Sequence, residues 1–346
     1  MPLGLHTAEL NFETTREIGQ EGRNSQVFIA HDKQLDGEIV VKKISKAKLK
    51  NANEYYKEAK ILYASSHPNV VRVKYGCADN DNIFIAMPYY KNGSLKRLID
   101  SRFLSIRQVL RYSIQFLSGL NNIHSKGLLH FDIKPDNILI SDSDEALLSD
   151  FGLSKAMNSL GFANPDAIYR KQIPPETFSS TQKTIHFDIY LAGLTIYRLL
   201  NGNNHYNSQF VFPTQNDYIK AVSTGIFPNR NSYLQHVPLK LQRIVNKALS
   251  VDINDRHQSV LDLINDLSSV NENLDWIYSS NATSHKWTKT LADREYEITF
   301  DNTNMSMEST KTMFGSNRTT RVTAHCKSNL TENNKLSIIK KALKEI

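Results

Sequence analysis

The 346-residue chain has no long apolar run: its most apolar stretch, residues 189–200, is interrupted by Arg198. That stretch is too short to cross the roughly 30 Å of bilayer hydrocarbon, and it reads as a buried helix instead. Cysteine is scarce. Cys77 and Cys326 lie far apart and make neither a disulfide framework nor a thiolate metal pattern, so a reduced, cytoplasmic setting is expected. Residues 1–10 lack a charged n-region and a long apolar h-region, so no secretory leader is expected and the protein should be soluble. No internal repeat is visible.

What is present is ordinary for a globular protein. Hydrophobic residues make up 40% and charged residues 22%, which excludes disorder or a fibrous repeat for most of the chain. At roughly 150 residues per domain, the length suggests about two domains. A net charge of +7 and a pI near 9.1 suit phosphate-bearing ligands or acidic partners. A mild excess spread along the chain is usually solvated surface, however, so neither nucleic acid nor membrane is expected as a partner.

Residues 27–30 and 38–41 are β-branched runs around a polar turn with Asp36-Gly37, which predicts strands. The charged, alanine-containing stretch 53–64 predicts a helix, and 83–87 another strand. Then the texture changes. Ile106, Val109, Leu110, Ile114, Leu117, Leu120 and Ile123 follow the 3.6-residue period of one amphipathic helix. Further helices are expected over 187–200, 239–250 and 260–267. A small sheet-rich part is thus followed by a larger helical part. Near Asn271 the composition shifts again. Tyr296, Ile298 and Phe300 alternate on one face of a strand over 295–300, and another strand is expected over 321–326. Thr331 should cap a final helix with Leu336, Ile339, Leu343 and Ile346 on one stripe.

The segment His130-Phe131-Asp132-Ile133-Lys134-Pro135-Asp136-Asn137 carries chemistry. Moving a phosphoryl group between oxygens asks for a carboxylate beside the incoming hydroxyl, a cation beside the moving phosphate, and an oxygen ligand for Mg²⁺. Asp132, Lys134 and Asn137 offer these on one short loop. Thirteen residues past Asn137, after the apolar Ala146-Leu147-Leu148, comes Asp150-Phe151-Gly152. A hard divalent cation held by nucleotide phosphates favours carboxylate oxygen there; Phe151 would lock into the core and Gly152 would let the chain turn. A lone Asp-Phe-Gly is an ordinary tripeptide, but its distance from the first loop gives it weight.

These two segments resemble the catalytic loop and the metal-binding Asp-Phe-Gly of the protein kinase family. The resemblance spans about residues 12–270 and implies a two-lobed α+β kinase-like fold, with a small β-rich N-lobe (12–88) and a larger α-helical C-lobe (89–270). Residues 1–11 precede it, and residues 271–346 are a small α+β extension of unknown role. The resemblance implies that Lys42, in Val40-Val41-Lys42-Lys43-Ile44, holds the α- and β-phosphates of ATP and pairs with Glu58. The glycine loop would cover those phosphates with its backbone N–H groups. It keeps Gly19 and Gly22 but has Ser25 where a third glycine is common, and it is one residue longer than the family pattern. Val27, Val40 and Leu139 would sandwich the adenine, with Met87 as gate and Tyr89 supplying hinge contacts beside an unusual Pro88. Asn137 and Asp150 would hold Mg²⁺. Pro174-Pro175-Glu176 resembles the close of the activation segment, with Glu176 pairing to Arg256, and Asp188 resembles the buried aspartate that organises the catalytic loop.

Two departures bear on regulation and specificity. Phe131 replaces the arginine that commonly answers a phosphate on the activation segment, which favours a constitutive or otherwise regulated site. Tyr169 stands where Ser/Thr kinases usually have threonine, whereas Lys134 favours Ser/Thr acceptors. The expected function is an ATP- and Mg²⁺-dependent protein kinase that phosphorylates Ser/Thr hydroxyls of protein substrates, including its own. Two alternatives stay open: a non-catalytic scaffold of the same fold, suggested by the altered glycine loop and Phe131, and a small-molecule phosphotransferase, which Asp-Phe-Gly and Pro-Pro-Glu oppose. In the extension, basic residues interleaved with Trp287, Tyr296 and Phe300 either pack a mini-core or bind a partner.

Overall fold

A computed structural model describes residues 10–19, 25–48, 56–165 and 172–346, without the side chains of 19, 48 and 57–59. The chain starts with β1 (Phe12–Gly19), β2 (Ser25–Asp32) and β3 (Gly37–Ser45), followed by helix α1 (Lys57–Ala64), β4 (Tyr75–Ala78) and β5 (Asn82–Pro88). The five strands form one antiparallel sheet in the order β1-β2-β3-β5-β4. Side chains of a strand alternate between faces. Ile39, Val41 and Ala86 are therefore fully buried on one side, while Val40 and Lys42 point to the other.

The larger part is helical: α2 (Leu95–Ser101), α3 (Ile106–Ser125), α4 (Ile185–Asn201), α5 (Asn203–Ser208), α6 (Gln215–Ser223), α7 (Leu239–Ala248) and α8 (Val260–Ser268). The predicted amphipathic helix is α3. It opens with a capping box between Ser105 and Gln108, and Ile106, Val109, Phe116, Leu120 and Ile123 form its buried face. Helix α4 is the centre of the lobe, with every residue from Phe187 to Asn201 buried. Four short strands lie between α3 and α4: β6 (Leu128–Leu129), β7 (Ile138–Ile140), β8 (Ala146–Leu148) and β9 (Lys155–Ala156). Pairing of β7 with β8 and of β6 with β9 fixes the loop over 130–137 and the start of the segment after Asp150.

Five further strands follow, β10 (Ile277–Ser280), β11 (Ser284–Thr290), β12 (Arg294–Asp301), β13 (Ser306–Met313) and β14 (Arg318–Arg321), and then helix α9 (Glu332–Glu345). They form an antiparallel meander in sequence order. Trp276, Tyr278, Trp287, Ile298 and Phe300 pack on its inner face with Ile339 and Leu343 of α9. Thr331 caps α9 as expected, but Leu336 is exposed rather than on the packed stripe. The strand expected over 321–326 is not formed. After Arg321 the Val322 N–H still reaches the Ser309 carbonyl, but Thr323–His325 then turn in a 3-10 loop that lets Lys327 pair with Met307. Trp276, Tyr278, Trp287 and Phe300 thus line a core, with Tyr296 packed against it.

This sheet rests on the helical lobe. The Tyr278 ring meets Phe103 edge-on at 4.7 Å, Leu234 joins the same apolar cluster, and Arg107 makes a two-point ion pair with Asp275 at 2.6 and 2.9 Å. Among the described residues, no helix is long and apolar enough to cross a membrane.

Candidate active site

The loop that carries the sequence motif is anchored from beneath. Asp188, in the first turn of α4 and 0% exposed, accepts the backbone N–H groups of His130 and Phe131, both at 2.8 Å, and faces His124 Nε2 at 2.8 Å. Burial alone would disfavour its charge; His124, His130 and the backbone donors outweigh that and keep its pKa below the ordinary carboxylate value. Phe131 takes a left-handed φ of +68° and is held there by its ring, which is buried against Phe187 at 5.2 Å. Its side chain fills core where a charge would be costly.

Three predicted residues converge on this loop. Asp132 Oδ2 accepts from Asn137 Nδ2 at 2.7 Å and pairs with Lys134 Nζ at 3.0 Å. Asn137 Nδ2 also donates to the Asp132 carbonyl at 2.9 Å. Both contacts use the amide nitrogen, so Oδ1 is the end left to face a cation. Burial works against the Lys134 ammonium, but Asp132, Asp136 and Asp150 together raise its pKa above the usual lysine value.

Asp150 is tied to this group through Ser149, whose N–H and Oγ both donate to the Asn137 carbonyl at 2.9 Å. His130 Nε2 lies 3.1 Å from the Ser149 carbonyl, and its ring packs against Phe151 at 4.9 Å. Asp150 has φ +58° and accepts from Lys42 Nζ at 2.9 Å. The Lys42 charge pulls the Asp150 pKa well below the ordinary range. Strand β3 and the short strands around residues 128–156 thereby bring Lys42, Asp132, Lys134, Asn137 and Asp150 into one connected group. Ser149 and His124 were not singled out from sequence. A serine beside Asp150 and a histidine near the end of α3 carry no local pattern of their own; only the fold gives them partners.

The sheet register sets the apolar wall. Val27 stands opposite Lys42 and Val40 opposite Met87, all on the sheet face away from the buried Ile39 and Val41. Val27, Val40, Met87, Tyr89 and Leu139 are each partly buried. Leu139 lies on β7, bridged to Ser94 of the segment that follows the sheet. Gly19 ends β1 and Ser25 opens β2. Glu58 falls on α1, but its side chain, like Gly22 and Tyr169, lies outside the described residues. Glu176 and Arg256 form the expected pair, two-pronged at 2.9 and 2.8 Å, with the guanidinium over the Tyr190 ring at 4.9 Å.

Among the described residues, no group of three or more His, Cys, Asp or Glu could hold a metal alone. The carboxylate of Asp150 and the amide oxygen of Asn137 nonetheless form a hard-donor set, which suits a cation whose shell is completed by phosphate oxygens.

A two-lobed architecture, a catalytic-type loop hung from a buried aspartate and an Asp-Phe-Gly beside a strand lysine define a class. Residues 12–272 match the family model for the protein kinase domain, and the chain belongs to the protein kinase family. It is similar to the serine/threonine-protein kinase PknD of Protochlamydia amoebophila, at 27% identity over 324 residues, covering 83% of this chain and 32% of that protein. A probable serine/threonine-protein kinase, PknB of Lactococcus lactis, is 25% identical over 269 residues, covering 75% of this chain and 42% of the relative. PknD of Chlamydia muridarum is 27% identical over 293 residues, covering 73% of this chain and 30% of that protein. The chain thus spans about a third to two fifths of the length of these relatives.

Proposed function

We propose that the protein is an ATP-dependent protein kinase that transfers the γ-phosphoryl group to Ser/Thr hydroxyls of proteins, its own included. The observation that supports this is the continuous set of contacts Lys42–Asp150, Ser149–Asn137 and Asn137–Asp132–Lys134. Asp132 orients the acceptor hydroxyl and takes up its proton. Lys134 neutralises charge on the moving phosphoryl, and Lys42 positions the nucleotide's inner phosphates. Asn137 and Asp150 would hold Mg²⁺, which when bound supplies charge neutralisation at the β- and γ-phosphates. Val27, Val40, Met87 and Leu139 exclude water around the adenine, Tyr89 contributes a backbone contact, and Gly19, Gly22 and Ser25 cover the phosphates. Catalysis is then chiefly positioning and electrostatics.

In this reading residues 12–270 are the catalytic domain, with lobes over 12–88 and 89–270, residues 1–11 ahead of it and 271–346 appended; the setting is cytoplasmic. The buried ring of Phe131 offers no cation to a phosphate on the activation segment, so activity should not depend on phosphorylation there. The test is incubation of the protein with Mg²⁺ and γ-labelled ATP, with phosphoserine and phosphothreonine identified by mass spectrometry. Asp132→Asn should lower incorporation by about 10²–10⁴-fold; an unchanged rate would remove the assignment.

A further inference from the structure

Two lines of contact run from the C-terminal sheet to one corner of the helical lobe. Along the first, Tyr278 packs on Phe103 at 4.7 Å. Phe103 in turn lies so close to Gly202 that a Cβ there would sit 3.0 Å from its Cε1. Along the second, Leu234 packs into the C-terminal core, and its N–H donates to Asn201 Oδ1 at 3.0 Å. Asn201, Gly202 and Asn203 form the join between α4 and α5.

From that join a polar chain leads to the catalytic loop. Asn203, 3% exposed, donates from Nδ2 to Asp100 Oδ1 at 2.6 Å. Its Oδ1 accepts both Nε and Nη2 of Arg198, at 3.0 and 2.8 Å. Arg198 Nη2 stands 3.9 Å from Asp136 Oδ2, and Asp136 adjoins Asn137. The Arg198 side chain is 7% exposed and its guanidinium also lies over the Tyr206 ring at 5.2 Å. A guanidinium removed from water needs several anchors and a counter-charge to offset its desolvation. Asn203 fixes one edge, and Asp136 supplies negative charge on the loop side.

We propose that the C-terminal sheet braces the acceptor side of the catalytic loop through this corner, with Arg198 as the positioning residue that transmits the brace to Asp136. Packed side chains and hydrogen bonds of fixed geometry are a physical route for such coupling. The inference rests on the kinase reading only in naming the loop catalytic.

Amide hydrogen exchange on the full chain tests it without any need for turnover. Tyr278→Leu should speed exchange over residues 132–138 about fivefold, the effect of one lost hydrogen bond or contact, while β3 and β5 stay unchanged. Arg198→Gln should speed the same loop similarly without touching 277–346, and the two substitutions together should add little more. Exchange that rises only within 274–346 and around Phe103, or a loop indifferent to Arg198→Gln, overturns the proposal. If Tyr278→Leu fails to fold, Asn203→Ser cuts the same route inside the lobe and is judged by the same criteria. Where labelled ATP is turned over, Arg198→Gln should lower kcat about fivefold with the KM for ATP unchanged, and Arg198→Lys should recover part of it. A parent protein that transfers no phosphate removes the kinase reading, while the exchange data still decide the brace.

Discussion

Among the described residues, two antiparallel sheets have five strands each, and they use their faces in opposite ways. The N-terminal sheet seals one face with Ile39, Val41 and Ala86, each 0% exposed, and leaves Val27, Val40 and Met87 half covered on the other. The C-terminal sheet closes its apolar face with α9: Trp287 and Ile298 are 0% exposed and Phe300 1%. Its other face is polar, with Thr288, Glu297 and Thr310 aligned across three strands. A half-covered apolar face beside a lysine suits a flat ligand with a charged tail; a sealed one has room only for packing. On the proposed function, two sheets of equal size divide ligand and scaffold duties between them.

Substitutions can break or sharpen that division. In the sealed sheet, Trp287→Ala should cost about 3–5 kcal/mol, read from urea unfolding, because a large ring leaves a cavity. At the seam between sheet and lobe, His236 is 1% exposed and stacks on Tyr278 at 5.9 Å, and burial pushes its pKa down to about 4. Between pH 6.5 and 4 the unfolded chain therefore takes a proton on His236 that the folded chain refuses. Stability should fall as pH drops through that window, by at most about 3 kcal/mol. Comparing urea midpoints at pH 7 and 4.5 for the parent and His236→Phe checks this; the drop should be smaller in the variant. In the half-covered sheet, Val40→Ala should weaken ATP binding about fivefold to tenfold by calorimetry, while stability changes little. On the solvated face, Thr288→Val should shift stability by no more than about 0.5 kcal/mol. If Val40→Ala instead unfolds the protein and leaves ATP affinity intact, the contrast between the sheets is wrong.

The sequence made the site more legible than the scaffold. Asp132, Lys134 and Asn137 lie within six consecutive residues, so their convergence needs only one loop. Lys42 and Asp150 are 108 residues apart, and only the family pattern assigns both to one nucleotide. The pairing of Lys42 with Glu58 that the family pattern implies lies outside the described residues. Helix α3 follows from apolar periodicity and α4 from its apolar run, buried on every side; α7 and α8 form where helices are expected over 239–250 and 260–267. Strands β11 and β13 did not, because Ser284–Thr290 and Ser306–Met313 are rich in Ser, Thr and Lys and each turns only one or two fully buried side chains inward. Strand β12 was visible because Tyr296, Ile298 and Phe300 alternate in one run. The error over 321–326 has the same origin: Val322 and Cys326 look strand-like, but whether the ladder continues is decided by Met307 and Lys327, far away in sequence.

Asp188 ties the end of α3 and two peptide groups of the loop to the most deeply buried helix of the protein. The start of the loop, at His130 and Phe131, is therefore anchored directly on the core of the lobe. On the proposed function, a nucleotide would meet a fixed floor below and the half-covered face of the small sheet above.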